Sequence, residues 1–401
     1  MSSYLDLLKR PGVARVIAAQ LTARFPNGML SLAYLLHIER VQDSYGAAGL
    51  VLAATSIGQA VAGPLTSRWM GRWGMRPVLI LTLVVAALSI FTVALVPMPL
   101  WGYMLVALVG GLSTPPIQPA VRTIYPKMVT SKQLTPLFSL DASAQEIIWV
   151  AGPVVITFVA TQISTVFGLV LCGVILILGG IWFIASPEVG RVRIPRSRRR
   201  LGAVLIKRPV LLATLVGFLL IGACSATEAA VVAAFDHGGP ESGAILAIFA
   251  LGSLAGGLAF GHIPVGPWAL ARRMLIVTIG MGLAALVLDF WWLVGALLIA
   301  GIGIAPALAV MFAITSSSVR FSETAEAYGW VGTGQLIGAA IGSAIAGFLI
   351  DASGAAGGFV TAFAIAALGV LLAVVAKAWH PDLRGRDASP IPDTEPVPVQ
   401  S

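Results

Sequence analysis

Charged side chains are scarce within the apolar runs of this sequence, so those that do occur there are the first places to look for chemistry. A charge at membrane depth costs several kcal/mol unless it is paired or wet. Arg24, Glu146 and Glu228 are the deepest candidates. Arg24 belongs to a polar series, Gln20, Arg24, Asn27 and Ser31, spaced at i, i+4, i+7 and i+11, which shares one helical face. Such a stripe on an apolar helix must face protein or water. It either binds a solute or only holds its helix against neighbours. Glu146 is the best proton site. Burial favours the neutral form of a carboxylate and a nearby guanidinium favours the charged form. A solute that separates the two therefore lets the acid take a proton; the alternative is a fixed structural ion pair. Glu228 is a second proton site, a contact for a cationic solute, or an acid that simply reaches outer water. Trp149, one turn beyond Glu146, offers a ring to the solute or serves packing. Asp141 and Arg122 read as interfacial residues able to pair.

The elements that carry these residues are membrane helices. The chain of 401 residues is 58% hydrophobic and only 10% charged, with a mean hydropathy of +0.94. A soluble protein has about a quarter of its residues charged, so the apolar excess must face lipid. Runs of ~20 mostly apolar residues give twelve expected spans: 13–37, 46–67, 77–96, 101–124, 136–161, 165–186, 209–235, 242–263, 270–288, 290–316, 324–350 and 356–377. No cleavable signal is expected at the N-terminus. Cys172 and Cys224 lie in apolar runs and read as small buried residues, without a disulfide or metal.

The basic residues fix the orientation. Alternate cytoplasmic segments hold Lys9, Arg10 and Arg15; Arg68, Arg72 and Arg76; Arg122, Lys127 and Lys132; the cluster Arg191 to Arg208; Arg272 and Arg273; Arg320; and Lys377, Arg384 and Arg386. The opposite loops hold Arg40 alone among cations, and the acids Asp43, Asp236, Glu241, Asp289 and Asp351. Both termini are expected in the cytoplasm, in a multi-pass protein of the cell inner membrane. The net charge of +8 then reflects topology, not a nucleic-acid partner. Residues 187–208 form a basic cytoplasmic linker, with anionic lipid as a second role for its arginine run. Residues 379–401 are rich in Pro, Asp and Glu and are expected to be a disordered tail.

The two halves repeat. Trp101 aligns with Trp291, Gly111 with Gly301 and Pro116 with Pro306, without a gap. Glu146 falls opposite Gln335, and Pro153 opposite Gly342. The expected fold is all-α, with a six-helix bundle over 1–186 and a pseudo-symmetric second over 209–378. Parallel repeats of this kind place a solute site at the midplane between halves that rock.

Gly63-Pro64-Leu65-Thr66-Ser67-Arg68-Trp69-Met70-Gly71-Arg72-Trp73-Gly74-Met75-Arg76 resembles the loop motif between helices two and three of the major facilitator superfamily (MFS). The family's acid falls at Gly71 and is missing here. The resemblance implies a gate against span eleven formed by Gly63, Arg68, Arg72, Gly74 and Arg76, with Glu323 and Glu326 meeting Arg68 or Arg72. Gly152-Pro153 is similar to part of the helix-five signature of the family's exporters, whose helix-four arginine has no counterpart in Val106 to Val109. The resemblance further implies that spans one, four, seven and ten line the cavity. It also makes spans one and five neighbours, so that Arg24, ~18 Å into its helix, can pair with Glu146, ~15 Å into its own.

The sequence thus points to a secondary active transporter of a small organic solute, by proton-coupled export. A sugar or metabolite permease and a mover of amphipathic lipids are alternatives, and a sensor or enzyme is disfavoured. The expected solute residues are Gln20, Arg24, Asn27, Ser31, Trp149, Glu228 and Gln335; Glu146 and Glu228 couple protons. The four histidines are scattered, and there is no nucleotide loop of the Gly-x4-Gly-Lys type. No cofactor or metal is called for. The expected partners are solute, protons and lipid, for a monomer.

Overall fold

The structure, a computed structural model, describes residues 4–195, 200–235, 240–261, 263–386 and 388–393. It is helical throughout, and the single β-bridge among the described residues joins Arg320 to Ile391. Fourteen helices carry the fold. In the first half they are α1 (Val13–Arg24), α2 (Leu30–Gln42), α3 (Tyr45–Trp73), α4 (Met75–Leu95), α5 (Leu100–Leu112), α6 (Ile117–Ile124), α7 (Ser131–Gln162) and α8 (Thr165–Ala185). In the second they are α9 (Arg208–Ala234), α10 (Pro240–Phe260), α11 (Ala269–Ala284), α12 (Phe290–Ser318), α13 (Phe321–Ser353) and α14 (Ala355–Val375).

Local chemistry sets many of their ends. The Ser44, Ser164 and Asp289 side chains accept from the amides of Ala47, Phe167 and Trp292, satisfying donors that a helix start leaves open. Thr130 and Gln133 form a capping box at the start of α7. Gly74 alone joins α3 to α4 at φ 92°, a conformation that L side chains rarely adopt.

Ten helical segments are long and apolar enough to cross a membrane. Expected spans one and nine are not among them. Span one is broken between α1 and α2 by a 3-10 turn, Phe25–Gly28, where Pro26 has no N–H to give to a helix. Span nine is the sixteen-residue α11, which opens with Arg272 and Arg273. Span four is also interrupted, at Ser113 to Pro116.

The halves use the same internal packing. In the first, α1 and α4 pack on α8, and α3 packs on α5. In the second, α9 and α11 pack on α14, and α10 packs on α12. The aligned glycines mark equivalent crossings. A Cβ on Gly111 would strike the Thr55 carbonyl in α3, and one on Gly301 the Phe249 carbonyl in α10. Aligned Trp101 and Trp291 are 69% and 76% exposed, as aromatic residues at a lipid boundary are.

Within the expected tail, the structure describes residues 380–386 and 388–393. After α14 and the short turn Ala376–Trp379, the chain folds back along the base of the second half. The Leu383 amide donates to Val265 O at 2.9 Å, the Phe321 amide donates to Ile391 O at 3.0 Å, and the Ile391 amide donates to Val319 O at 2.9 Å. Asp393 takes the Ser322 hydroxyl at 2.6 Å. His380 and Ala388 are buried. Leu383 packs partly buried against the core, while Ile391, 47% exposed, is held by its backbone bonds. Residues 394–401 and the arginine run at 196–199 lie outside the described residues.

Candidate functional site

The floor of the site is a buried ionic cluster on α1, α6 and α7. Asp141 is fully buried. Its carboxylate accepts from Gln20 Nε2 at 3.0 Å, Tyr125 OH at 3.0 Å and Arg122 Nε at 3.2 Å. Arg24 Nη1 stands 3.9 Å from it. Arg24 also donates to Gln20 at 2.8 Å and to Gln145. Two buried guanidiniums therefore share one carboxylate, with neutral amides taking the remaining donors.

The Arg24–Glu146 pair does not form. The reason is the start of α7. The helix begins at Ser131 and not at residue 136, so Asp141 lies ten residues in, ~15 Å deep. That is the depth at which Arg24 needs a partner. Asp141 and Arg122 do pair, but both are buried, not interfacial.

Glu146 has a different partner. Its carboxylate accepts from Ser253 Oγ at 2.9 Å. Ser253 is on α10, in the other half. Glu228 on α9 is within electrostatic reach of Glu146, and Cys224, one turn before it, is in reach of both acids. Glu228 itself is exposed. These two carboxylates come one from each half.

The other expected solute residues divide. Gln20 and Arg24 are consumed in the ionic cluster. Asn27 and Ser31 are exposed beyond the 3-10 break, so the stripe is not one continuous helical face. Trp149 is 53% exposed, next to Glu146 on the same helix. Gln335 Nε2 is buried without a hydrogen-bond partner among the described residues, against Gly217 and Met311. Gly152 packs backbone to backbone on Gly28, so this glycine serves the crossing of the first and fifth spans.

The halves meet on the side of the basic loops. A Cβ on Gly329 of α13 would press on the Gly63 carbonyl, and Thr333 Oγ1 donates to Ala60 O at 2.9 Å. Arg68 pairs with Glu326 at 3.3 Å. Glu326 also accepts from the Gly202 amide at 2.8 Å, and Glu323 pairs with Lys207 at 2.7 Å, which ties the linker to this contact between the halves. Arg72 and Arg76 are not placed across the halves. Arg72 lies 5.9 Å from the Trp73 ring. Arg76 donates to the Ile184 and Ser186 carbonyls at the end of α8.

An aromatic plug, missed in the sequence, fills the same level. Phe138 stacks 6.2 Å from Phe312 and 6.3 Å from Tyr328, and Tyr125 sits 6.1 Å from Phe138. Arg122 lies 3.4 Å from the Phe312 ring centroid, a cation–π contact from one half to the other. Ser139 Oγ donates to Gly257 O at 2.6 Å. Only aromatics spread over three helices and a 3-10 turn foreshadow the plug, and that signal is shared by ordinary packing. Among the described residues, no three His, Cys, Asp or Glu side chains come together as a metal site.

The family model of the Major Facilitator Superfamily matches residues 16–288 and 229–399. The chain belongs to the major facilitator superfamily. Solved MFS-type structures carry the same fold. The human organic anion transporter MFSD10 (TETRAN) is 17% identical, with TM-score 0.70 over 91% of this chain and 100% of its own. A bacterial homologue of the iron transporter ferroportin, in an outward-facing state, is 13% identical, with TM-score 0.75 over 91% and 99%. The MFS proton:xylose symporter XylE is 12% identical, with TM-score 0.73 over 94% and 97%. Likeness at these identities shows the fold alone. No curated protein matches the chain in sequence. This MFS chain is a multi-pass membrane protein with the two-bundle fold of secondary transporters.

Proposed function

We propose that this MFS chain exports a small organic solute in exchange for protons, by alternating access between its two six-helix bundles. The hydrogen bond from Ser253 to Glu146 carries the reading. It joins a membrane-embedded acid of one half to a hydroxyl of the other, so any rocking of the halves changes what solvates that acid. An ionised carboxylate is costly to enclose. Taking a proton removes that cost and lets the cavity close over it. Glu228, from the other bundle, is the second carrier of charge. Arg24 and Gln20 act as the rigid floor, while Trp149 and Gln335 line the solute's space.

Contacts between the halves on the basic side support an outward-facing state, which is also the state of the bacterial ferroportin homologue. Basic loops on one side and cation-poor loops on the other support an inner-membrane protein with cytoplasmic termini. Gly63, Gly329 and the Arg68–Glu326 pair then form the cytoplasmic gate. The linker over 187–208 couples that gate to the second bundle through Gly202 and Lys207.

The test is a thermal-shift screen of the purified protein against metabolites and drugs, followed by flux of any hit in proteoliposomes with imposed pH gradients. Glu146→Gln is expected to keep binding while losing response to the gradient. Gradient-driven transport by Glu146→Gln at the wild-type rate would overturn the reading.

A further inference from the structure

A cavity of about 490 Å³ lies at the base of the second half, away from the Glu146 site. Four cations line it: Arg272 and Arg273 at the start of α11, Lys377 after α14 and Arg384 in the folded-back tail. Among the described residues, no acidic side chain lines it. The nearest balance is local, since Asp382 pairs with Arg384 at 2.7 Å on an exposed loop. Arg273 is buried and donates to Pro306 O at 2.9 Å, so it fixes the inner wall. The Lys377 ammonium lies 4.2 Å from the Trp268 ring, and Trp268 is partly exposed at the mouth. Ile276 and Ile302 supply its apolar floor.

We propose that this cavity binds the phosphodiester of an anionic membrane phospholipid. The cations supply a phosphate site of bidentate and point-charge donors. The apolar floor accepts the first methylenes of an acyl chain, a feature for which a free phosphate has no use. The tail forms one wall of the cavity and is fastened by the bond from the Leu383 amide to Val265 O. A bound lipid therefore also pins residues 380–386 to the loop between α10 and α11. Each cation near an anionic surface contributes ~1 kcal/mol, so removing one raises the half-saturating lipid roughly fivefold.

The test titrates the full-length protein in detergent with phosphatidylglycerol, phosphatidylcholine or inorganic phosphate. Native mass spectrometry reads retained lipid, and amide exchange reads the tail. Phosphatidylglycerol is expected to be retained, and to slow exchange at Leu383, while phosphatidylcholine and phosphate do neither. Arg272→Gln with Lys377→Gln is expected to weaken retention by the product of the two factors. Arg384→Gln, on an exposed loop that cannot unfold the bundle, is expected to weaken it by one. Equal retention of the two lipids, or equal retention by wild type and Arg384→Gln, overturns the proposal. Protection by inorganic phosphate alone reassigns the ligand to a free anion and overturns the lipid.

Discussion

Asp141 and Glu146 are five residues apart on one helix, yet they live in opposite regimes. Asp141 is held by Gln20, Tyr125 and Arg122, with Arg24 beside it, all from the same half. Glu146 holds one hydroxyl, and that hydroxyl belongs to the other half. A buried charge whose partners all move with it has no reason to change state when the halves rock. A charge whose partner moves away does. The lesson is that depth in the membrane alone does not identify a working acid; the ownership of its partners does.

The sharpest way to break this comparison is to remove each acid in turn. Asp141→Ala leaves Arg24 and Arg122 buried without their carboxylate. Breaking such a cluster costs about 3–5 kcal/mol. A large fall in melting temperature in detergent, or loss of folded protein, is expected. Glu146→Gln keeps an acceptor for Ser253 and is expected to change stability by less than ~1 kcal/mol. Equal destabilisation by the two would erase the distinction.

The gate supplies the next largest effect. Gly63→Leu places a side chain against the Gly329 carbonyl and Thr333. Overpacking of this kind costs about 1–3 kcal/mol, and here only the state closed on the basic side bears it. A cysteine placed at Ser139, buried in that closed interface, is expected to label faster in the Gly63→Leu background. Unchanged labelling would group this gate with the static Asp141 cluster. Arg68 and Glu326 form a half-wet pair, with the Arg68 side chain 27% exposed. A double-mutant cycle with Arg68→Gln and Glu326→Gln is therefore expected to give a coupling of only ~0.2–1 kcal/mol.

The smallest effect lies outside the membrane. His380 is buried at the root of the tail. Burial, with Arg273 nearby, holds its pKa below the ordinary histidine value, although the bond to Pro381 O opposes this. Asp382 lies on the same loop. A depressed value means that the folded tail prefers the neutral ring. That stability is present above the unfolded histidine value and is lost as pH falls below it. Amide exchange in residues 383–391 is expected to quicken below about pH 6.5, with the bundles unaffected.

Much of the architecture was legible because lipid imposes simple rules. Apolar length marked spans two to eight and ten to twelve, and the glycine and tryptophan spacing revealed the repeat. Arg68 with Glu326 was legible too, because the helix-two motif and an acid opening α13 leave few partners for each other. The ionic cluster was misread for a geometric reason. Pro136 looked like a helix start, but Thr130 and Gln133 cap the helix a turn and a half earlier, and that shift put Asp141 where Glu146 was expected. Pro26 and Gly28 carried the signal for the break in span one, masked by the apolar run around them. The course of residues 380–386 and 388–393 was not legible, because composition averages hide the buried Ala388 and the backbone bonds of Leu383 and Ile391.

The most direct measurement is the pH dependence of solute flux in proteoliposomes carrying wild type, Glu146→Gln or Ser253→Ala. If Glu146 carries the coupled proton, an imposed proton gradient drives accumulation by wild type, while Glu146→Gln only equilibrates the solute and Ser253→Ala shifts the pH profile. Accumulation by Glu146→Gln that still follows the gradient as the wild type does would contradict that role.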